Sequence, residues 1–374
     1  MKFFFFFLLT ILTGCISPSQ NRINSGEGPS SSVLTIRWEK KIISAVRFSN
    51  IPEQFSTPRF SSDGSRIFIG ASDGLMRCIS INKNLIWKTK LFSPIHSRAL
   101  LLEDKDALII GTISGELYRL SIKTGKIKWK FKGFGSFLGD TIYKNGVVYA
   151  VTAKNMLYAV SLDDGKLHWS RRHETLGGFT VRGHSSPAIS GKNLIYGLSD
   201  GRYLNVDIQN RGQIIWSASL EKLEDENYID ADAKPVIDGN IVYVSTYRQG
   251  ITALDLKTGS PLWRFRAYGV TFIKKMEDRL YFVSPTSGIH CISTTGRLIW
   301  RQYVDLGTPG EILIRGRRML IPFDKVGIIS IDPLTGFFLQ RFDSGNGVSG
   351  NLEQFSKGVS FLSNSGSVYL MDLK

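Results

Sequence analysis

Cysteine, histidine and acidic residues are all scarce in this chain. Its three cysteines, Cys15, Cys78 and Cys291, include no close pair of the kind a metal site needs. The five histidines, His96, His168, His173, His184 and His290, show neither H-E-x-x-H nor H-x-H spacing. No G-x-S-x-G elbow presents a nucleophile, and no glycine-rich phosphate loop leads into a helix. Asp163-Asp164-Gly165 reads as turn chemistry rather than as a catalytic pair. The chain is therefore expected to have no catalytic residues, no metal site and no cofactor. Acid is short by a wide margin, with 47 Lys and Arg against 32 Asp and Glu and a formal charge of +15. Nucleic acid, lipopolysaccharide, anionic lipid or an acidic protein face would each answer such a charge. The cations are spread over every repeat, which reads first as a solvated basic surface.

What the chain has in abundance is one repeated stretch. Residues 115–129 read G-E-L-Y-R-L-S-I-K-T-G-K-I-K-W: a strand, a Lys-Thr-Gly turn and a second strand carrying Trp129. Gly recurs four residues before Trp at Gly125/Trp129, Gly165/Trp169, Gly212/Trp216, Gly259/Trp263 and Gly296/Trp300. Trp87 closes a similar unit in which Asn is expected to stand in for Gly within Asn82-Lys83-Asn84. A further copy has Gly336 and then Gln340 in the Trp position, expected to be a local packing variation. The Trp spacings from Trp87 to Trp300 are 42, 40, 47, 47 and 37. A period in the forties with four strand-like segments per copy indicates a β-propeller.

Eight copies are counted, over residues 57–91, 97–133, 138–172, 185–220, 233–267, 271–304, 310–345 and 349–374. The eighth ends after its third strand, and V-L-T-I-R-W-E at 33–39 looks like the missing fourth. The expected fold is all-β, an eight-bladed propeller of four-stranded blades closed by an N-terminal strand, so that the last blade is not left incomplete. Cys78 and Cys291 share a repeat column with Ala159 and Ala253, in copies one and six. Two free, buried thiols and no disulfide are expected.

Before the ring lies a different kind of sequence. Residues 3–12 are an apolar run of ten, too short to span a bilayer. Leu12-Thr13-Gly14-Cys15 resembles the bacterial lipobox, which makes 1–14 a signal peptide and Cys15 a lipidated first residue. Ile16 rather than Asp follows it, favouring the periplasmic face of the outer membrane, where no nucleic acid is met. Residues 15–32, rich in Ser, Gly, Asn and Pro, read as a flexible tether, and 33–374 as one propeller domain.

Two connections between copies are long. Residues 173–184 and 221–232 are each 12 residues, against five for 92–96 and three for 268–270. Both run from an outer to an inner strand, so both emerge on one face of the ring, and both flank copy four. Long loops on a rigid scaffold are where binding concentrates. The first holds Phe179-Thr180-Val181-Arg182-Gly183. The second concentrates acid: Glu221, Glu224, Asp225, Glu226, Asp230 and Asp232. Arg182 with its apolar neighbours makes an anchor for a protein partner, or pairs with Asp230 or Asp232 to pin the loops together. The two roles are compatible.

The column Ala253, Asp255, Thr258, Gly259, Trp263 resembles the PQQ-type propeller repeat. Within that superfamily the chain resembles the BamB family, lipoproteins of the outer-membrane β-barrel assembly (BAM) complex. Residues 179–187, F-T-V-R-G-H-S-S-P, are similar to the family's Leu-x-Leu-Arg-Gly-x-Ser-x-Pro, with Phe179 and Val181 in place of Leu. Residues 229–235, I-D-A-D-A-K-P, are similar to its Asp-x-Asp-x-x-Pro. The resemblance implies that Phe179, Val181, Arg182, Asp230 and Asp232 bind a POTRA domain of BamA. It further implies a non-enzymatic scaffold that assists nascent β-barrel proteins, whose strands the open blade edges are candidates to receive. Two other readings remain at this point. One is a PQQ-dependent quinoprotein dehydrogenase with Ca²⁺, against which stand the missing adjacent-Cys pair and carboxylate cluster. The other is a basic periplasmic binder of lipopolysaccharide or peptidoglycan.

Overall fold

Each repeat folds into a four-stranded antiparallel sheet, and eight such sheets follow one another round an axis. The computed structural model describes residues 33–43, 53–174, 185–220, 231 and 233–374. Blades 1 to 7 take residues 59–90, 100–132, 142–172, 188–219, 236–265, 273–302 and 313–342. Blade 8 consists of Glu353–Phe355, Gly358–Leu362 and Ser367–Leu373, with Leu34–Lys41 as its fourth strand. That last strand pairs antiparallel from Leu34 opposite Leu373 to Lys41 opposite Ser367. The eight-bladed propeller and the displaced closing strand are thus both present.

The core is eight cores, one between each pair of adjacent blades. Phe68, Cys78 and Trp87 of blade 1 pack against Leu108, Ile110 and Tyr118 of blade 2. The alternate residues of the same blade 2 strands, Ala107, Ile109 and Leu117, pack against Val148 and Tyr158 of blade 3. Successive side chains of a strand point to opposite faces. Both faces of the middle strands are covered, which is why Ala107–Gly111 is apolar at every position. The last core joins Trp38 and Leu370 of blade 8 to Ile67 and Ile79 of blade 1 and so completes the circle.

The geometry explains the Gly-x-x-x-Trp spacing. Each Trp lies not on its own Gly but on that of the next blade. A Cβ on Gly165 would come within 2.8 Å of the Trp129 ring, and one on Gly125 within 2.6 Å of Trp87. These glycines also hold φ near +71°, where a side chain is strained. The indole then donates to a carbonyl of the same turn, Trp129 Nε1 to Leu162 O at 2.7 Å and Trp87 Nε1 to Ile122 O at 3.0 Å. The pair is four residues apart in sequence because its members serve two different junctions. One residue before each Trp the outer strand bulges, as between Arg119 and Leu120 opposite Ile127 to Trp129.

Two departures from the column are corrected by the structure. In the turn at 82–84 it is Lys83, with φ +71°, that occupies the Gly position, rather than an Asn. Its ammonium lies 6.0 Å from the centre of the Trp38 ring. Gln340 is more than a packing variation. Blade 8 has no turn for a Trp to lie on, because its third and fourth strands are the two ends of the chain. Gln340 Oε1 instead accepts from the N–H groups of Val33 and Leu34, both at 2.7 Å, and its Nε2 donates to Leu34 O at 3.3 Å. Lys374 N–H donates to Val33 O at 2.9 Å beside them.

Cys78 and Cys291 are free and buried, opposite Trp87 and Trp300. Burial pushes their thiols up to about 12 and about 11, which leaves them protonated and poorly nucleophilic. His168 is exposed on its strand. His290 is buried and stacked on Phe282 at 4.7 Å, and burial pulls it down to about 4, so it packs as a neutral ring.

Candidate partner-binding face

Phe179, Val181, Arg182, Asp230 and Asp232, like Cys15, lie outside the described residues. The stems from which the two long connections depart are described, and they are built to hold. The first connection leaves blade 3 through His173, whose N–H donates to Asn155 O at 3.2 Å. Its Nε2 lies 2.6 Å from the hydroxyl of Tyr196, inside blade 4. Burial, with Arg202 and Arg171 nearby, holds the His173 imidazole below its usual range, and burial keeps the Tyr196 phenol protonated. A neutral ring accepting from Tyr196 fits both shifts. Arg202, itself bonded to Asp200 at 2.7 Å, donates to Glu174 O at 2.8 Å and fixes the next residue of the stem.

The second connection returns onto the same blade. Ala231 N–H donates to Leu198 O at 3.2 Å. A Cβ on Gly197 would sit 1.9 Å from the Ala231 carbonyl oxygen, so the loop closes onto blade 4 only because residue 197 has no side chain. Beyond it, Ala233 O accepts from Ser185 Oγ at 3.2 Å and from Tyr203 Oη at 3.1 Å. The Ser185 bond joins the end of one long connection to the end of the other. Their expected proximity at blade 4 is therefore present at the roots. Sequence reading found the loops by length but missed Tyr196, Tyr203 and Gly197, which sit in apolar strands without any distinguishing motif.

All eight blades contribute to the wall of an axial cavity of about 580 Å³, among them Thr57, Arg98, Asp140, Lys234, Lys274 and Glu311. Its carboxylates are taken by cations: Glu311 by Arg98 at 2.8 Å, Asp140 by Lys234 at 3.6 Å, and neighbouring Glu353 by Arg59 at 2.9 Å. Burial disfavours the charge on Arg98, but Asp140, Glu311 and Glu353 outweigh it and raise its proton affinity. Burial pushes the Glu353 carboxyl up, opposed by Arg59 and Arg98. A quinone cofactor with Ca²⁺ needs oxygen ligands free to bind the ion. These acids are committed to arginine and lysine, and no group of three potential ligands occurs among the described residues. The channel does not fit that cofactor.

Eight four-stranded blades with this repeat column define a PQQ-like β-propeller. The family model described as "Outer membrane protein assembly factor BamB" matches residues 72–300 and 248–345, and the chain belongs to this family. It is 26% identical over 277 residues to the outer membrane protein assembly factor BamB of Yersinia pestis, covering 70% of each chain. With that of Vibrio cholerae serotype O1 it shares 27% over 288 residues, covering 74% of this chain and 72% of the relative. The crystal structure of BamB from Moraxella catarrhalis superposes with a TM-score of 0.77 at 17% identity, over 91% of this chain and 100% of that one. A computationally designed protein, Ika8, superposes at 0.71 with 16% identity, over 87% of this chain and 98% of its own. At such identities the superpositions speak for the fold. The family match and the Yersinia and Vibrio relatives speak for more.

Proposed function

We propose that the chain is a non-enzymatic scaffold lipoprotein of the outer-membrane β-barrel assembly machinery. In this reading residues 1–14 are a signal peptide, and Cys15 is lipidated at the periplasmic face of the outer membrane. Residues 15–32 are a tether and 33–374 the propeller. The two connections flanking blade 4 bind the POTRA region of BamA, with Phe179 and Val181 as apolar anchors, Arg182 as the central cation, and Asp230 and Asp232 beside it. Other BAM components and nascent barrel proteins are met in the same assembly. The observation that carries the site is the Ser185–Ala233 hydrogen bond, which supports a single composite surface made from both connections. The assembly role rests on the family match.

Delivery of nascent strands by pairing with blade edges is less well supported. Every outer strand is bulged, and all but that of blade 4 carry cations, which are devices that discourage edge pairing.

Calorimetry of residues 16–374 with the POTRA region of BamA from the same organism tests the reading. Arg182→Ala is expected to cost on the order of 2 kcal/mol, roughly thirtyfold in affinity, with Asp230→Ala weakening binding in the same sense. Full-strength binding by both folded variants would remove the loops as the site. No binding by the unmodified chain would remove the partner.

A further inference from the structure

The positive charge is not spread evenly round the ring. The outer strands of blades 8, 1, 2 and 3 are Leu34–Lys41, Leu85–Lys90, Ile127–Lys132 and Leu167–Arg172. Together they carry ten Lys and Arg and one acid, Glu39. The outer strands of blades 4 to 7 carry three cations, Arg264, Arg301 and Arg341. These four basic strands belong to consecutive blades, so the cations form one continuous wall. Exposed apolar residues occur all the way round, Ile86 and Ile127 on the basic side and Ile215 and Leu262 on the other. Charge alone distinguishes the two halves.

Little on the basic wall neutralises it. Arg37 pairs with Asp372 and Lys130 with Glu116. Lys41 and Lys132 donate to the carbonyls of Ser365 and Ser114, which leaves their charge in place. Lys88, Lys128, Arg171 and Arg172 have no carboxylate within ion-pair distance among the described residues, and all four are exposed. The wall also contains the strand at which the N-terminal segment joins the ring. The 17 residues between Cys15 and Val33 span, as a flexible chain, about 20–25 Å.

We propose that the outer wall of blades 8, 1, 2 and 3 is an electrostatic docking surface for an anionic phospholipid bilayer. The choice of a bilayer over an acidic protein rests on the reading of Cys15 as the anchor, which holds this wall within reach of the membrane. The lipid holds the chain at the bilayer without orienting the ring, and a polybasic surface near the anchor supplies that orientation. Docked by this wall the ring stands on its rim, with its axis along the membrane plane. The face that bears the long connections then looks sideways, toward whatever is embedded next to it.

The test uses residues 16–374, which contain every strand of the ring and lack the lipid. Binding is measured to phosphatidylcholine vesicles with and without phosphatidylglycerol. Two triple variants are compared, Lys88→Glu/Lys128→Glu/Lys132→Glu on the basic wall and Arg264→Glu/Arg301→Glu/Arg341→Glu opposite. Circular dichroism melting confirms that each is folded. The unmodified chain is expected to bind only the phosphatidylglycerol vesicles, less so as salt rises. The basic-wall triple is expected to lose on the order of a hundredfold, and the opposite triple less than about threefold. Equal losses from both triples, or no binding by the unmodified chain, would overturn the proposal. So would binding only to vesicles carrying lipopolysaccharide, or only to an acidic protein. POTRA binding by the unmodified chain separates the two readings, since its presence alongside absent vesicle binding by that same chain would sink this inference alone.

Discussion

At the junction of blades 2 and 3 the Trp129 ring lies on the Gly165 turn and donates to Leu162 O. At the junction of blades 7 and 8 there is no turn to lie on, and Gln340 grips the backbone of Val33 and Leu34 instead. The first junction works by burying an indole between two sheets. The second works by satisfying main-chain donors at a chain end, where a flat ring would leave them unpaired. The side chain in this column is therefore set by what the next blade presents. Six junctions present a glycine turn and take Trp, and one presents Lys83 and still takes Trp. The seam presents a broken hairpin and takes Gln.

This contrast can be broken most severely at the seam itself. Deleting residues 33–41 removes Trp38 and the whole fourth strand of blade 8, exposing Tyr369 and Met371. Loss of a single cooperative transition in urea is expected, and an unchanged midpoint would mean the ring does not depend on closure. Next in size, Trp129→Ala is expected to cost about 3–5 kcal/mol, read from the urea midpoint. Gln340→Ala should cost less, about 1–3 kcal/mol, since it strands buried donors rather than emptying a packed site. Hydrogen exchange should quicken at Val33 and Leu34 and stay slow at Leu162. The smallest effect is expected from Lys83→Gly, which relieves a positive φ but gives up the ammonium over Trp38. A net change below about 1 kcal/mol is expected in the same assay.

Much of this ring was legible in the repeat. The eight blades, the closing strand and the buried thiols follow from a column that recurs at Trp87, Trp129 and Trp169 and then fails at the C-terminus. What the column hides is which members touch. Gly165 and Trp169 stand together in sequence, yet each serves a different neighbour, because the turn glycine faces the blade before it and the Trp side chain faces the blade after it. The Arg98–Glu311 pair, 213 residues apart, has no trace in local pattern. At the candidate face, loop length drew attention to blade 4, while the residues that root the loops were invisible. Tyr196 and Tyr203 look like any strand aromatic, and the demand on Gly197 comes from a carbonyl 34 residues away.

The closing strand also imposes an order of events. Leu34–Lys41 is the first strand of the ring to be synthesised, and its partner Ser367–Leu373 is the last. While the chain is still emerging, the growing molecule is an open stack of sheets with one naked face at each end. Its first strand meanwhile waits without a sheet to join. Arg37, Glu39, Lys40 and Lys41 put charge on that waiting strand and make it a poor partner for stray edges. Completion of the final seven residues converts the stack into a circle, so the integrity of the whole rests on an encounter between the two ends of the chain.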